Sequence, residues 1–427
     1  MPGRLSADGV PGAVIVILRG GAEVWTGAFG QADPATGRAM SPGALFRVES
    51  ISKPVTAWGV MRLSELGLLD LDAPVTSCLE PGVLPAGTPR ITARQLLSHT
   101  AGVGLGDYAA RFAPGAERPA PSAHLAADFR MARQPGSGFL YSDTGYNLLE
   151  LLIEGCAEED FSDFMAREVL RPLGMTRSSY DWSGAEMPVG HDLRGQAVAP
   201  YLYPGRGSGG LHATAGDVAR FAAASMDGAD QPVLSPDSIA LLHRPVVGVE
   251  GLFGLVAQGY GLGHFTEILS DGHRAVWHGG QGHGWMTHLH LVPETGDGIV
   301  ILANSQRAWP LFAAILRDWS ESIGVRPVRM ARVLWAEVAA RAAIALLVAG
   351  AAITLRAAWR PGAPRREKRL AAGTMAVALI AVPVWASVQD YLFVFSILPG
   401  LSRWLGGAMV LCGLALAAFA FRRERQA

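Results

Sequence analysis

One stretch of the chain reads Phe46-Arg47-Val48-Glu49-Ser50-Ile51-Ser52-Lys53-Pro54-Val55-Thr56-Ala57-Trp58, and it is typical of a loop that delivers a serine to the start of a helix. Pro54 falls in the first helical turn, where its missing N–H costs little. Apolar residues then recur at roughly helical spacing, at Val55, Trp58, Leu66 and Leu69. We therefore expect one face of this helix to be buried.

Ser50 and Lys53 stand three residues apart and so share a face of that helix. A hydroxyl is a poor nucleophile and needs a base nearby, and a buried lysine can be that base because desolvation lowers its pKa. The 36 basic residues are 34 arginines and two lysines, Lys53 and Lys368. Arginine does not deprotonate in proteins, so an amine kept at position 53 indicates acid–base chemistry. The alternative is a surface lysine on a helix.

The composition divides the chain into two unequal parts. Its 427 residues have room for one large catalytic domain and an appendage, and the net charge is −1. Residues 1–331 carry 24 basic and 33 acidic side chains (24 − 33 = −9), and residues 332–427 carry 12 and 4 (12 − 4 = +8). The acidic first part argues against a nucleic-acid partner.

The cysteines have no spacing typical of metal ligands. There are three, Cys78, Cys156 and Cys412. A bridge between Cys78 and Cys156 is possible, although nothing in the sequence favours it.

Strand-like segments occur near both ends of the first part. A hairpin is expected at 13–19 and 22–27 about Gly20-Gly21, and further strands are expected at 260–265, 275–278, 286–292 and 298–304. A helix at about 309–323 ends this part. We predict one sheet built from the two termini with a helical subdomain inserted, giving a hydrolase domain at 1–328 and a membrane domain at 329–427.

The membrane domain is predicted from three apolar runs of near-spanning length, Val333–Leu355, Leu370–Phe393 and Trp404–Phe421. Basic residues cluster at 359–369 and 422–425, and positive loops stay cytoplasmic. This places the catalytic domain on the extracytoplasmic face and the C-terminus in the cytoplasm. The alternative is a helical bundle buried in a soluble protein.

Export of the catalytic domain would require a signal. Residues 1–12 lack the apolar region of a signal peptide. We therefore expect either a leader upstream of this start or the first apolar run, Val333–Leu355, acting as a reverse anchor, and we favour the leader.

Three short motifs follow one another along the chain, namely Ser50-x-x-Lys53, Tyr141-Ser142-Asp143 and His278-Gly279-Gly280. In order and approximate spacing they resemble those of the serine β-lactamase and penicillin-binding superfamily, most closely its class C-related branch of esterases, D-aminopeptidases and DD-peptidases. The resemblance covers residues 10–325. It implies an α/β fold, with a β-lactamase-like antiparallel sheet flanked by helices and an inserted helical subdomain; the three membrane helices would follow it.

The resemblance also implies catalytic roles. Ser50 would attack a carbonyl and carry the acyl group, while Lys53 would accept or relay its proton. Tyr141 would act with Lys53 as base and then as acid, because a phenol beside an ammonium can lose its proton below its usual pKa. The backbone N–H groups of Ser50 and Gln281 would form the oxyanion hole. Neither a metal nor a cofactor is implied.

The third motif would bind substrate. His278 would face the cleft opposite Tyr141, and Gly279 and Gly280 would let substrate backbone approach the strand. Two departures bear on specificity: Asp143 stands where the family most often has Asn, and His278 stands where β-lactamases proper have lysine. Both favour a peptidase or esterase over a β-lactamase, with a substrate amine placed near Asp143.

These observations predict a membrane-anchored serine hydrolase that forms an acyl-enzyme with a peptide amide or an ester. Its partners would be a small-molecule or peptide substrate, with D-amino-acid-containing peptides favoured, and the lipid bilayer. Alternatives are a β-lactamase, a non-catalytic penicillin- or peptidoglycan-binding protein, or a relative of the membrane peptidases that remove an N-acyl-D-amino-acid cap from nonribosomal peptide prodrugs. Arg47 departs from the acidic residue expected in that last group.

The remaining candidates are assigned to structure. His288 and His290 alternate on a predicted strand, and a polar strand face is favoured over a metal pair for them. His99 is expected to be hydrogen-bonded in its turn, and Tyr146 is expected to be a packing residue. The glycines at 205–210 lack the Lys-Ser/Thr of a phosphate loop.

Overall fold

The computed structural model describes every residue except 108, 185, 252, 361, 363, 389–392 and 423–427. It divides into two compact units, Met1–Ala331 and Arg332–Ala427.

A large antiparallel sheet forms the centre of the first unit. Its strands are β1 (Gly12–Arg19), β2 (Ala22–Asp33), β3 (Arg38–Ala39), β8 (Val247–Gly248), β9 (Gly259–Tyr260), β10 (Phe265–Ile268), β11 (Arg274–Gln281), β12 (Met286–Val292) and β13 (Asp297–Ala303). They lie in the order β3-β2-β1-β13-β12-β11-β10-β9-β8. Because β1 pairs with β13, with Ile15 opposite Ile301, the two ends of the unit share one sheet, as predicted.

Two small strand pairs accompany the sheet. The first joins β4 (Leu45–Arg47) to β7 (His212–Thr214), and the second joins β5 (Gly190–His191) to β6 (Ala197–Val198). β4 leads directly into the serine motif, so its pairing with β7 fixes where that motif begins.

The helices of the first unit are α1 (Pro2–Asp8), α2 (Ser52–Glu65), α3 (Ala93–Leu97), α4 (Pro121–Asp128), α5 (Asp143–Ala157), α6 (Phe161–Met165), α7 (Ala215–Ala224), α8 (Pro236–His243) and α9 (Trp309–Ser322). Several begin at side-chain caps, which supply partners for free backbone N–H groups. Thr214 accepts the N–H of Asp217 at 3.1 Å in this way at the start of α7.

The serine helix α2 is buried on all sides over residues 52–61, so the prediction of a single buried face was wrong. Trp58 packs edge-on against Phe221 with ring centroids 5.3 Å apart, while α5 lies against another side of the helix. Leu66, which was expected on the buried face, lies just after the helix and is 44% exposed. A helix buried on every side is typical of the interior of a large domain, and here the buried residues include the polar Ser52, Lys53 and Thr56.

One further element differs from the sequence-based expectation, and the structure answers one question that the sequence left open. The segment predicted as one strand at 260–265 is the end of β9, a turn and the start of β10. Cys78 and Cys156, whose pairing the sequence left open, form a disulfide that ties a loop to the last turn of α5. Gly155 is needed beside it, since a Cβ there would lie 1.7 Å from the carbonyl oxygen of Cys78.

The second unit consists of α10 (Arg332–Ala358), α11 (Arg366–Ser387), α12 (Phe393–Ile397) and α13 (Leu401–Phe421). Within the part of the chain that the structure describes, three helical segments, at Arg329–Ala358, Arg366–Ser387 and Leu401–Phe421, are long and apolar enough to cross a membrane. The second ends at Ser387, earlier than predicted, and the rest of that predicted run reaches into residues outside the described part.

Basic residues of the second unit meet at one end. Arg369 donates to the carbonyl of Ala420 at 2.8 Å, and Arg422 donates to those of Ala357 at 2.6 Å and Arg360 at 2.8 Å. These bonds join the start of α11 to the ends of α10 and α13. The rest of the predicted C-terminal basic cluster, residues 423–425, lies outside the described residues.

Candidate active site

Ser50 lies in a single 3₁₀ turn, Glu49–Ile51, that runs into the first turn of α2. Side chains fasten this turn on both sides. Ser52 Oγ donates to the carbonyl of Glu49 at 2.6 Å and accepts the N–H of Leu211 at 3.0 Å. Thr287 Oγ1, on β12, donates to the carbonyl of Val48 at 2.7 Å. The nucleophile candidate is therefore held between the central helix and the sheet.

Lys53 lies one helical turn after Ser50 and is fully buried, at 0% exposure. Its Nζ is 3.0 Å from Ser50 Oγ, 2.6 Å from Asp143 Oδ1 and 2.8 Å from the carbonyl oxygen of Ser208. Burial lowers the pKa of Lys53, and the Asp143 carboxylate offsets only part of that shift. An amine with a lowered pKa beside a hydroxyl can act as the general base.

Tyr141 lies close to this pair, near enough for Ser50 to influence the pKa of its hydroxyl. Its ring centroid lies 5.0 Å from Lys53 Nζ, and the ring stacks on Phe253 at 5.5 Å. The expected lowering of its pKa was wrong. Burial and the nearby Asp143 carboxylate raise the pKa of Tyr141 well above its usual range. Tyr141 is thus protonated at neutral pH, and Lys53 is the better candidate for the first base.

Asp143 begins α5, which Ser142 caps by accepting the N–H of Gly145 at 2.8 Å. The sequence analysis assigned Asp143 to a substrate amine, whereas one of its carboxylate oxygens pairs with Lys53. Its side chain is 26% exposed, so it also faces the cavity beside Ser50. Asp143 therefore contacts the candidate base Lys53 directly, which was not predicted from the sequence.

His278 does not face the cleft, contrary to the prediction. It is 0% exposed, its Nε2 lies 3.3 Å from Tyr260 Oη, and its Nδ1 lies 2.8 Å from the carbonyl oxygen of Gly279. Burial and the charge of Lys53 lower the pKa of His278 well below its usual range. Alternation along β11 places the ring beneath aromatic side chains, with Phe265 at 5.3 Å between centroids. His278 is therefore a neutral, buried imidazole that packs near the Tyr141 ring, with 6.2 Å between centroids.

The other structural histidines are also buried. His99 accepts the N–H of Ser142 at 3.2 Å and packs 4.4 Å from the Tyr141 ring, so it links its turn to the second motif. His288 Nε2 and His290 Nδ1 are 3.3 Å apart on β12. Tyr146 packs as predicted, fully buried with its hydroxyl donating to the carbonyl of Leu97 at 2.8 Å.

The two glycines of the third motif differ in their surroundings. A Cβ on Gly280 would lie 2.1 Å from Thr287 Oγ1 and 2.3 Å from the carbonyl oxygen of Val48. A Cβ on Gly279 would meet nothing closer than 3.6 Å. A glycine is therefore needed at position 280 because the protein's own backbone before the serine turn packs closely against it. The prediction gave a different reason, the approach of substrate backbone.

Gly280→Ala is expected to lower kcat by about a hundredfold, because the added methyl group displaces the serine turn from β11 and small misplacements at a reacting centre are costly. Gly279→Ala is the matched control and is expected to stay within about threefold of the parent. Steady-state kinetics on one ester substrate measure both. Equal kinetics for the two variants would contradict the role given to Gly280.

Ser50, Asp143 and Gln281 line one cavity. The other lining residues are Glu49, Gly106, Asp107, His124, Asp128, Thr144, Asn147, Tyr203, Pro204, Ser208 and Gly209. The side chain of Gln281 accepts the indole N–H of Trp309 at 2.8 Å, so its amide oxygen is engaged elsewhere. Among the described residues, the lining includes four carboxylates and neither arginine nor lysine.

Sequence reasoning missed three residues of this site. Ser208, in the glycine-rich loop, holds Lys53 through its carbonyl oxygen. Glu49 precedes the nucleophile directly, and Tyr203 contacts it at 2.9 Å. Of the three, only Glu49 could have been suspected from the sequence, because it directly precedes Ser50. Ser208 and Tyr203 reach the site from loops far along the chain.

Comparison with known proteins identifies relatives of the first unit. The beta-lactamase family model matches residues 3–318. Penicillin-binding protein 4 of Amycolatopsis lactamdurans is 29% identical over 342 residues, covering 74% of this chain and 87% of that protein. Esterase EstB of Burkholderia gladioli is 26% identical over 347 residues, covering 69% and 86%.

A solved structure also aligns with this unit. The D-stereospecific amidohydrolase from Streptomyces sp. has a TM-score of 0.58 at 25% identity, and the match covers 70% of this chain and 91% of that one. The family model spans well over half of the chain, and the matched relatives include an esterase and an amidohydrolase. The chain therefore belongs to the beta-lactamase family and is a serine hydrolase.

Proposed function

We propose that the protein hydrolyses a peptide amide or an ester through an acyl-enzyme on Ser50. The observation that carries this proposal is the 3.0 Å separation between Ser50 Oγ and a fully buried Lys53 Nζ. Neutral Lys53 takes the hydroxyl proton as Oγ attacks the carbonyl carbon. The backbone N–H groups of Ser50 and Gln281, which line the same cavity, stabilise the oxyanion.

Tyr141 then supplies the proton that the leaving group needs. Its ring lies 5.0 Å from Lys53 Nζ, which is 3.0 Å from Ser50 Oγ, and its raised pKa keeps it protonated, so it can donate as the carbonyl–leaving-group bond breaks. The proton that Lys53 took from Ser50 can reprotonate Tyr141 across the same cluster. Water afterwards attacks the ester carbonyl of the acyl-enzyme and releases Ser50.

The substrate is proposed to carry an amine, with D-amino-acid-containing peptides as the favoured class. The cavity beside Ser50 presents the carboxylates of Asp107, Asp128 and Asp143 with no exposed cation among its lining residues. One carboxylate oxygen of Asp143 pairs with Lys53, so its other oxygen, together with Asp107 and Asp128, is left to attract a positive group. Similarity to a D-stereospecific amidohydrolase and to a penicillin-binding protein supports this class.

A substrate panel tests both parts of the proposal. It contains p-nitrophenyl esters, nitrocefin, and D-amino-acid amides with a free or an acetylated amine, each assayed with the parent and Ser50→Ala. Ser50→Ala is expected to fall to background on every substrate that the parent cleaves. A Ser50→Ala variant that keeps the parent rate would contradict the mechanism.

Asp143→Asn is expected to reduce the preference for the free over the acetylated amine about tenfold, because one carboxylate near the ammonium is lost. Taking the ratio of the two kcat/KM values removes any effect of the substitution on Lys53. Asp237→Asn, at an exposed position on α8, is the matched control. An unchanged ratio in Asp143→Asn would remove Asp143 from amine recognition.

We also propose that the second unit anchors the protein in a membrane with the catalytic unit on the extracytoplasmic face. The disulfide between Cys78 and Cys156 is typical of an oxidising compartment. The basic ends of α10, α11 and α13 meet, and an excess of arginine marks the cytoplasmic side of a membrane protein.

A further inference from the structure

Glu49, the residue directly before Ser50, has an unusual backbone conformation and a buried charge. Its φ is 52°, in the left-handed region that non-glycine residues seldom occupy, and its side chain is 2% exposed. Such a conformation persists only where the surrounding structure imposes it, and it is concentrated at functional sites. The contacts of Glu49 show what imposes it here.

Three side chains hold the Glu49 carboxylate. Oε1 accepts from Arg47 Nε at 3.0 Å and from the hydroxyl of Tyr201 at 3.1 Å, while Oε2 accepts from the hydroxyl of Tyr203 at 2.9 Å. On its other side the carboxylate abuts backbone, since a Cβ on Gly282 would lie 2.1 Å from Glu49 Cδ. Gly282 follows Gln281, the second candidate oxyanion donor.

A second layer fixes these partners. Arg47 Nη1 donates to the carbonyl oxygen of Tyr201 at 2.7 Å and lies 3.3 Å from His212 Nε2. Burial and the nearby Arg47 charge lower the pKa of His212 to about 3, so a neutral ring can accept from Arg47. The Tyr201 hydroxyl also accepts the N–H of His283 at 2.9 Å. One network thus joins the serine turn, the 201–203 segment and the loop after β11.

We infer that Glu49 is a positioning residue: its carboxylate, clamped by Arg47, Tyr201 and Tyr203, sets the serine turn against the backbone at Gly282 and thereby holds the Ser50 and Gln281 N–H groups in register for the oxyanion. This inference rests on the proposed function, because it gives Ser50 and Gln281 their roles. It adds that the oxyanion hole depends on the buried ion pair between Arg47 and Glu49.

Two substitutions at position 49 distinguish the effect of the carboxylate from the effect of the left-handed backbone conformation. Glu49→Gln keeps the shape and loses the charge. Glu49→Gly accommodates the left-handed φ and loses the carboxylate. We expect both to lower kcat about a hundredfold, the size of the loss of one oxyanion donor, with KM within about threefold of the parent. Affinity for an arylboronic acid, a mimic of the tetrahedral intermediate, should fall in the same proportion as kcat/KM. A Glu49→Gly variant with parent kcat would overturn the inference.

Tyr203→Phe keeps the test decisive if the position 49 variants fail to fold. It removes one hydrogen bond to Oε2 and is expected to lower kcat and boronate affinity about tenfold. Ser225→Ala, which removes a buried hydroxyl that donates to the carbonyl of Phe221 at 2.9 Å at the end of α7, is the control and should leave both values within about threefold. Parent-like kcat and boronate affinity in Tyr203→Phe would overturn the inference. An active Ser50→Ala variant would instead overturn the proposed function, so the two failures are distinguishable.

Discussion

Lys53→Arg is expected to lower kcat/KM by about ten-thousand-fold or more, while the chain remains folded. The guanidinium keeps the positive charge opposite Asp143 but does not deprotonate, so no base remains 3.0 Å from Ser50 Oγ. The arginine side chain is also larger than the lysine side chain that fills this enclosed site, so it would in addition displace Ser50. Kinetics on an activated ester measure the loss, and thermal unfolding followed by circular dichroism measures whether the fold persists.

The other lysine supplies the control. Lys368 is exposed on α11 in the second unit, and Lys368→Arg is expected to leave kcat/KM unchanged. The parent should also lose activity as the pH falls, because protonation of Lys53 removes the base. Burial lowers the pKa of Lys53, so this loss should begin at a pH below the usual pKa of lysine. A Lys53→Arg enzyme within tenfold of the parent would exclude Lys53 as the base.

Tyr141→Phe is expected to lower kcat on an amide by about a thousandfold and on a p-nitrophenyl ester by much less. The phenol is placed to protonate the leaving group, and an amine needs that proton whereas p-nitrophenolate does not. Comparing the two substrates in one variant separates proton donation from a general disturbance of the site, which would lower both rates alike.

Tyr146→Phe is the control for this comparison. Tyr146 is a buried phenol close to the site, but its hydroxyl donates to the carbonyl of Leu97. Its loss should cost about 1 kcal/mol of stability and little activity. If Tyr141→Phe lowered amide and ester hydrolysis by the same factor, Tyr141 would not be the acid.

The sequence predicted the parts of the site that depend on local spacing. Ser50 and Lys53 are one helical turn apart, so their proximity follows from the helix, and the antiparallel sheet of both termini follows from where the strand patterns lie. The third member, Tyr141, was placed by resemblance, and in the structure its ring centroid lies 5.0 Å from Lys53 Nζ.

Features that depend on distant contacts could not be predicted. The sequence places His278 and Tyr141 in their motifs but does not show their surroundings. Aromatic neighbours enclose His278, and burial raises the pKa of Tyr141. The Glu49 carboxylate acquires its role from Tyr201 and Tyr203, some 150 residues later in the chain. The pairing of Cys78 with Cys156 likewise requires α5 to pack where it does.

The most direct test of the acyl-enzyme is peptide mass spectrometry of enzyme quenched with acid during turnover of an ester. We predict that the acyl mass is found on the peptide carrying Ser50, and that its amount rises and then falls as substrate is consumed. Turnover with no acyl mass on that peptide, or with the acyl group on a different residue, would contradict the account.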